Sequence, residues 1–358
     1  MGSGKGDVTV VAGVSGIVGR AVATRLIAGG GTVIGLSRTP PNPAIAGLTH
    51  VGVDLTDREA FAAALAANAA NATAVVFAGR APNPDPAVEA DRNLAMLRHV
   101  VEGVEAAGAP LAHVHLVHGC KWYGSHLGAY PTPAEEDDAR AEVRNFYYDQ
   151  QDYAVARTEA GASWSWSALR PHVLTGFSLG YPHNLIGVLA AMGTIRRERG
   201  QKLSFPGTEK CFFSLTQVTD LGLLVDAILW CMATPAAQNE AYNVICADYF
   251  RFCDVWHDIA DFFEIQPAEV KTQTLGEAMI GAEGMWLGLA KREGLIEPDL
   301  ARIANWGYGD TNFRIWWDDM ASNAKIRRAG FETPERVITS RSAILGALQA
   351  YRDAKVIP

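Results

Sequence analysis

The run Val8-Thr9-Val10-Val11-Ala12-Gly13-Val14-Ser15-Gly16-Ile17-Val18-Gly19 constrains this chain more than any other stretch. A β-branched apolar segment meets three glycines at G-x-x-G-x-x-G spacing, and Val18, Val22, Leu26 and Ile27 then share one helical face. Strand, tight turn, helix is the order these residues allow. Gly13 permits the turn. Gly16 lets backbone come close to a pyrophosphate at the helix N-terminus, and Gly19 lets helix and strand pack closely. A dinucleotide site is expected here, contacted by Gly13, Ser15, Gly16, Ile17 and Val18.

The pattern repeats. Helical periodicity falls near 17–29, 57–71, 86–107 and 147–162, and strand patterns near 8–12, 32–36, 50–53, 74–78, 113–117 and 164–169. That alternation predicts an α/β fold: a Rossmann-like, doubly wound parallel sheet with helices on both faces. Val218-Thr219-Asp220 is a good N-cap before an apolar helix at 221–232. The expected organisation is a dinucleotide-binding domain over 1–176, rejoined by 212–246. A smaller, interleaved C-terminal substrate lobe takes up 177–211 and 247–358. That lobe carries Trp256, Trp286, Trp306, Trp316 and Trp317, for which core packing is the plain expectation.

The second strand selects the dinucleotide. Thr32-Val33-Ile34-Gly35-Leu36 ends in Ser37-Arg38-Thr39, with no acid to hold a ribose 2′-OH. Arg38 supplies a planar cation and Ser37 and Thr39 supply hydroxyls, a set suited to a 2′-phosphate, so NADPH is expected over NADH. Asp54, beside Leu55 at the end of the third strand, is placed either to meet an adenine amino group or to cap the helix beginning near Thr56. Ala78 and Gly79 end the fourth strand, at the carboxyl edge where ligands bind.

Composition narrows the partners. The 358 residues are 49% hydrophobic and 20% charged, with a net charge of −8. No basic footprint for nucleic acid is present. No apolar run reaches about 18 residues, so no membrane span is expected. The five cysteines are scattered and form no C-x-x-C pair, which suggests reduced thiols and no metal. Met1 to Asp7 is short and glycine-rich, without a signal-peptide core, and a cytoplasmic location is the simplest expectation. The sequence leaves monomer and homodimer both open.

The glycine motif, the third-strand Asp54 and the interleaved lobe together resemble the extended short-chain dehydrogenases/reductases, most of which carry Tyr-x-x-x-Lys on the helix after the fifth strand. Between residues 110 and 170 no tyrosine has a lysine four positions on. Tyr351-x-x-x-Lys355 has the spacing but reads as a surface helix end. Glu135-Glu136-Asp137-Asp138 reads as a solvated loop, and His113, His115 and His118 lack the company a metal site needs.

What stands at the expected place is His118-Gly119-Cys120-Lys121-Trp122-Tyr123-Gly124 after the fifth strand, and Asn145-Phe146-Tyr147-Tyr148 opening the next helix. These segments resemble the plant progesterone 5β-reductase and iridoid synthase family, a divergent branch of the short-chain dehydrogenases/reductases. The resemblance extends through Leu169-Arg170-Pro171-His172-Val173-Leu174-Thr175-Gly176-Phe177-Ser178, Asn239-Glu240-Ala241-Tyr242-Asn243-Val244 and the ending Tyr351 to Pro358. It implies Lys121 and Tyr147 as the catalytic pair, both also touching the cofactor, with Pro171, Val173 and Ser178 beside the nicotinamide. Three departures stand out. Gly124 follows Tyr123 directly, the loop between Lys121 and Tyr147 is several residues short, and His172 replaces a glycine.

The chemistry follows from residue types. Hydride addition at the β-carbon of an enone puts negative charge on the carbonyl oxygen. A phenol can hydrogen-bond that oxygen, and the nearby Lys121 charge lowers the cost. The expectation is NADPH-dependent reduction of the C=C bond of a small hydrophobic enone or enal. A carbonyl reductase or alcohol dehydrogenase using the same two residues is the nearest alternative. A sugar-nucleotide epimerase and a non-catalytic NADPH sensor rank lower.

Overall fold

The computed structural model describes residues 7–332 and 338–358; the glycine-rich start at 1–6 lies outside them. Seven strands form one sheet: β1 (Val8–Ala12), β2 (Thr32–Ser37), β3 (Thr49–Gly52), β4 (Ala72–Phe77), β5 (His113–Val117), β6 (Ser165–Pro171) and β7 (Glu240–Val244). Their spatial order is β7-β6-β5-β4-β1-β2-β3, and every neighbouring pair is parallel. Parallel strands need crossover helices, which cover both faces. One face packs α2 (Arg58–Asn68), α3 (Pro86–Ala106) and α4 (Phe146–Glu159); the other packs α1 (Ile17–Ala28) and the helix Leu221–Ala233. The strand order reverses between β1 and β4, so their carboxyl ends flank the crevice where such sheets bind ligands.

The expected doubly wound sheet is the observed one. Element ends move by a few residues: β6 runs on to Pro171, and α2 begins at Arg58 because Asp57, accepting from the Glu59 and Ala60 amides, is its N-cap. Asp220 caps the helix Leu221–Ala233 through the Leu223 amide, as its sequence context suggests.

A second core lies over the carboxyl edge. It gathers α5 (Leu185–Glu198), α6 (Phe252–Phe262) and α7 (Ser340–Asp353) around Trp256, Trp286, Phe205 and Phe313. A two-stranded pair, Val173–Thr175 with Val218–Asp220, leads from β6 into this lobe. The short helix Ala324–Arg328 packs instead on β7, with Ile326 in the sheet-side core.

Three sequence expectations are corrected here. Trp316 is exposed, with the Lys210 ammonium 5.1 Å from its ring, and is no core residue. Glu136 is not a solvated loop acid: its carboxylate accepts from the Asn243 amide at 2.7 Å, inside the sheet edge. Tyr351 is not on the surface. It is fully buried, donating to Ser178 O at 2.7 Å and accepting from the Ser178 amide and Asn184 Nδ2. Lys355 alone of that spacing is exposed.

Candidate active site

The glycine turn joins β1 to α1 with Gly13 at φ 81°, a left-handed conformation that favours glycine. A Cβ on Gly13 would meet Ala78 O and Gly79 N at 2.8 Å, so the β1 and β4 ends press together here. A Cβ on Gly19 would strike Gly13 O at 2.3 Å, which is the close helix–turn packing that spacing predicts. Gly16 meets only Gly13 O, at 3.2 Å, and as N-cap of α1 it brings no side chain to its amides. Ser15 is exposed beside it, and Ile17 and Val18 begin the helix. An uncapped helix N-terminus with an open glycine face fits a diphosphate.

At the end of β2, Arg38 is exposed and Thr39 is exposed beside it. Ser37 is different. Its hydroxyl donates to Thr39 O at 2.8 Å and lies 3.1 Å from His50 Nε2, so its proton is turned inward and unavailable to a phosphate. Asp54 accepts from the Thr56 amide at 2.9 Å and hydroxyl at 2.7 Å, which hold its carboxyl below the usual range. It shapes the turn ahead of α2, while Asp57 is the helix cap. Leu55 is buried below it, against Gly79.

Lys121 sits in a short 3-10 turn, Cys120–Tyr123, after β5. Its neighbours hold that turn from below. Trp122 lies under the buried Arg170, whose guanidinium carbon is 3.7 Å from the ring centroid. Tyr123 donates to Asn243 Oδ1 at 2.7 Å and accepts from Arg170 at 3.0 Å. Gly124 ends the turn at φ 76°, which explains a glycine immediately after Tyr123. The lysine side chain is exposed in the cleft. Crowding by surrounding atoms, then the Arg80 charge, lowers its pKa, with Glu89 opposing.

Tyr147 opens α4. Asn145 is that helix's N-cap through the Tyr147 amide at 3.0 Å, and its Nδ2 donates to Lys121 O at 3.0 Å. One side chain therefore ties the lysine turn to the tyrosine. The two tyrosines of the pair then part company. Tyr148 is buried, its hydroxyl donating to Trp122 O and accepting from the Ala141 amide at 3.0 Å. The Tyr147 hydroxyl has no hydrogen-bond partner among the described residues. Burial pushes it up to about 12, against the pull of Arg80, so it is a protonated phenol at neutral pH.

His118 lies against Tyr147 with ring centroids 4.9 Å apart and planes tilted by 35°, and burial keeps its imidazole neutral. His113 and His115 are held by Ser165 and Ser167, at 2.7–2.9 Å. Pro171 ends β6 beside Gly119, Val173 follows in the first lobe strand, and Ser178 is buried against Tyr351. Val173 also lines a partly open cavity with Leu185, Cys211, Phe252, Trp317 and Asp319; neither Lys121 nor Tyr147 lines it.

Sequence reasoning missed Arg80, Asn145 and Asp319. Asn145 stood in the quoted segment, and its position one residue ahead of a helix is a capping signal. Arg80 directly follows Gly79 at the β4 edge, which is a positional signal.

A family profile described as "PRISE-like Rossmann-fold domain" matches residues 38–296. The chain is 27% identical to a 3-oxo-Delta(4,5)-steroid 5-beta-reductase of Arabidopsis thaliana, covering 98% of this chain and 93% of that one. It is 26% identical, with the same coverage, to an (S)-8-oxocitronellyl enol synthase of Camptotheca acuminata. Among solved structures it resembles a short-chain dehydrogenase/reductase superfamily protein from Agrobacterium tumefaciens with bound NAD. The TM-score is 0.64 at 17% identity, over 97% of each chain, a likeness of fold.

Proposed function

The chain belongs to the PRISE-like Rossmann-fold family, and from that footing we propose that it is an NADPH-dependent oxidoreductase. Its reaction is saturation of the activated C=C bond of small enones or enals by 1,4-hydride addition. One observation carries the reading: of two adjacent tyrosines, Tyr148 spends its hydroxyl on the fold, while Tyr147 keeps a protonated phenol with no protein partner among the described residues. Two relatives whose names describe a steroid 5β-reductase and an oxocitronellyl enol synthase support the same reaction class.

The bound cofactor supplies the hydride. The uncapped start of α1 and Gly16 suit its diphosphate, and the exposed Arg38, with no acid beside it, suits a 2′-phosphate. Lys121 brings positive charge from the loop, and orients the ribose by family resemblance. Tyr147 donates to the substrate carbonyl oxygen, where charge gathers as the β-carbon is reduced. Because Lys121 comes from a loop and not from the tyrosine's own helix, a carbonyl held at Tyr147 is offset, which favours the β-carbon for hydride. The test is product analysis after NADPH turnover of 2-cyclohexenone and progesterone. A saturated ketone is expected; an allylic alcohol as main product refutes 1,4-addition and leaves a carbonyl reductase.

A further inference from the structure

The cleft beside Tyr147 holds a second cation that this reaction scheme does not use. Arg80 follows Gly79 beyond the carboxyl end of β4. Glu89, in the first turn of α3, grips it through one carboxylate oxygen, at 3.0 Å from Nε and 2.7 Å from Nη2. Nη1 has no partner among the described residues, and the side chain is 38% exposed. The guanidinium carbon is 5.8 Å from the Phe146 ring, which in turn lies 4.3 Å from the Tyr147 ring. Its charge reaches the Tyr147 phenol, Lys121, His126 and His183. Lys121 has no anionic partner among the described residues either. Two cations thus share one cleft with one carboxylate, and Arg80 works against the charge of Lys121.

The lobe side of the cleft is polar as well. Tyr181, His183 and Tyr308 form a row with ring centroids 5.8 Å apart, and Asn305 Nδ2 lies 3.5 Å from His183 Nε2. Arg80's charge reaches both tyrosines. A wholly apolar substrate would strip water from these groups and return nothing. A carboxylate would relieve the repulsion between the two cations, and Glu89 already fixes the guanidinium so that little order is lost on binding.

We infer that Arg80 is an anion-recognition residue for the substrate, and that the preferred substrates are short enones or enals carrying a carboxylate. This rests on the enone-reductase reading and names its substrate class. A cofactor phosphate has the same chemistry; Arg80 favours the substrate because it sits by Phe146, next to the Tyr147 phenol proposed to meet the substrate carbonyl, and its charge reaches Tyr181 and Tyr308 of the lobe.

The experiment is calorimetric titration of NADP+-saturated protein with levulinate and with methyl levulinate, the same ketone with and without the charge. Wild type should bind levulinate at least about tenfold more tightly, the usual span of a charge-assisted fork contact. Arg80→Gln should bring the two ligands together. Arg80→Lys keeps the charge without the fork, should retain part of the preference, and serves if the glutamine variant does not fold. Equal binding of the two ligands by wild type overturns the inference. So does an Arg80→Gln protein that keeps the levulinate preference but binds NADP+ about tenfold more weakly, because the anion is then the cofactor's. Turnover of 2-cyclohexenone and 4-oxopent-2-enoate separates the two claims. Reduction of the neutral enone without a carboxylate preference removes the subsite and keeps the reaction; Arg80-dependent levulinate binding without reduction of either enone does the reverse.

Discussion

Tyr351→Phe is the sharpest test of how the lobe is fastened to the cleft. The ring is fully buried and would stay in place, edge-on to Phe177 at 5.0 Å. Only the hydroxyl goes. It donates to Ser178 O at 2.7 Å and accepts from Ser178 N at 3.3 Å and Asn184 Nδ2 at 3.2 Å. Asn184 keeps its bond to Gly176 O, so its loss is partial. Ser178 is itself buried, and both its amide and its carbonyl lose this partner. A buried group left unpaired costs about 1–3 kcal/mol, so the sum comes to about 2–4 kcal/mol. At roughly 2 cal/mol/K of unfolding entropy per residue, a chain of this length loses about 3–5 °C of Tm. Differential scanning calorimetry reads that directly. Lys355→Gln, at the exposed partner of the same spacing, is the control and should stay within about 0.5 kcal/mol. A Tyr351→Phe protein that melts within about 1 °C of wild type would show that the hydroxyl network contributes nothing, as a surface tyrosine would.

Arg38→Ala should lose most of a preference for NADPH over NADH of about tenfold to a hundredfold, measured as the ratio of the two Kd values; equal affinities in wild type reject the assignment. Tyr147→Phe should keep NADPH affinity and lower kcat by about a hundredfold to a thousandfold, with a residual rate as solvent protonates the product; unchanged turnover would remove Tyr147 from the reaction. Burial alone would raise the Asp319 carboxyl, but His172 and Tyr130 hold it below the usual range, so its contribution is complete above about pH 4 and fades as pH falls through the lowered value. Asp319→Asn should therefore destabilise by about 1–3 kcal/mol at pH 7, with the gap to wild type closing in denaturation curves taken below about pH 4.

The parts of the molecule that were legible in sequence are those where neighbours in the chain are neighbours in space. The β1 turn is one: Gly13, Gly16 and Gly19 lie within a single strand–turn–helix, and their spacing carries the geometry. The helix cap Asp220 is another. Legibility ends where a side chain's partner is remote. The Tyr351-x-x-x-Lys355 spacing suggested a surface helix end because its partner, Ser178, lies 173 positions away. Glu136 sat in an acid run that looked solvated, and what claims it is the amide of Asn243, 107 positions on. Trp316 shows the opposite error: a large aromatic that residue type assigns to the core but that is exposed, with Lys210 over its ring and Trp317 edge-on to it.

Two departures from the family pattern, the shortened loop and His172, turn out to meet at one atom. Tyr130, in the loop, donates to Asp319 Oδ1 at 2.5 Å, and His172 Nε2 lies 3.0 Å from the same oxygen, off the N–H axis. His172 Nδ1 accepts from the Val173 amide, so Nε2 carries the proton and faces the carboxylate. The strand-like contact of Ala134 with Ala321 extends the same junction. His172 is thus a strut from the end of β6 to the 319–322 segment, and the loop is moored to that segment. Lys121 and Tyr147 are held by Asn145, Tyr148, Trp122 and Arg170, and that set is joined to the loop: Trp122 and Tyr148 pack in one cluster with Tyr130, Ala134 and Ala321, and Arg170 donates to Glu136 O at 3.0 Å. The wall of the cleft and the proposed reacting pair therefore share their supports. A change in the loop or in the strut therefore reaches the surroundings of the Tyr147 phenol as well as the cleft wall, so substrate fit and the placing of that phenol are expected to change together.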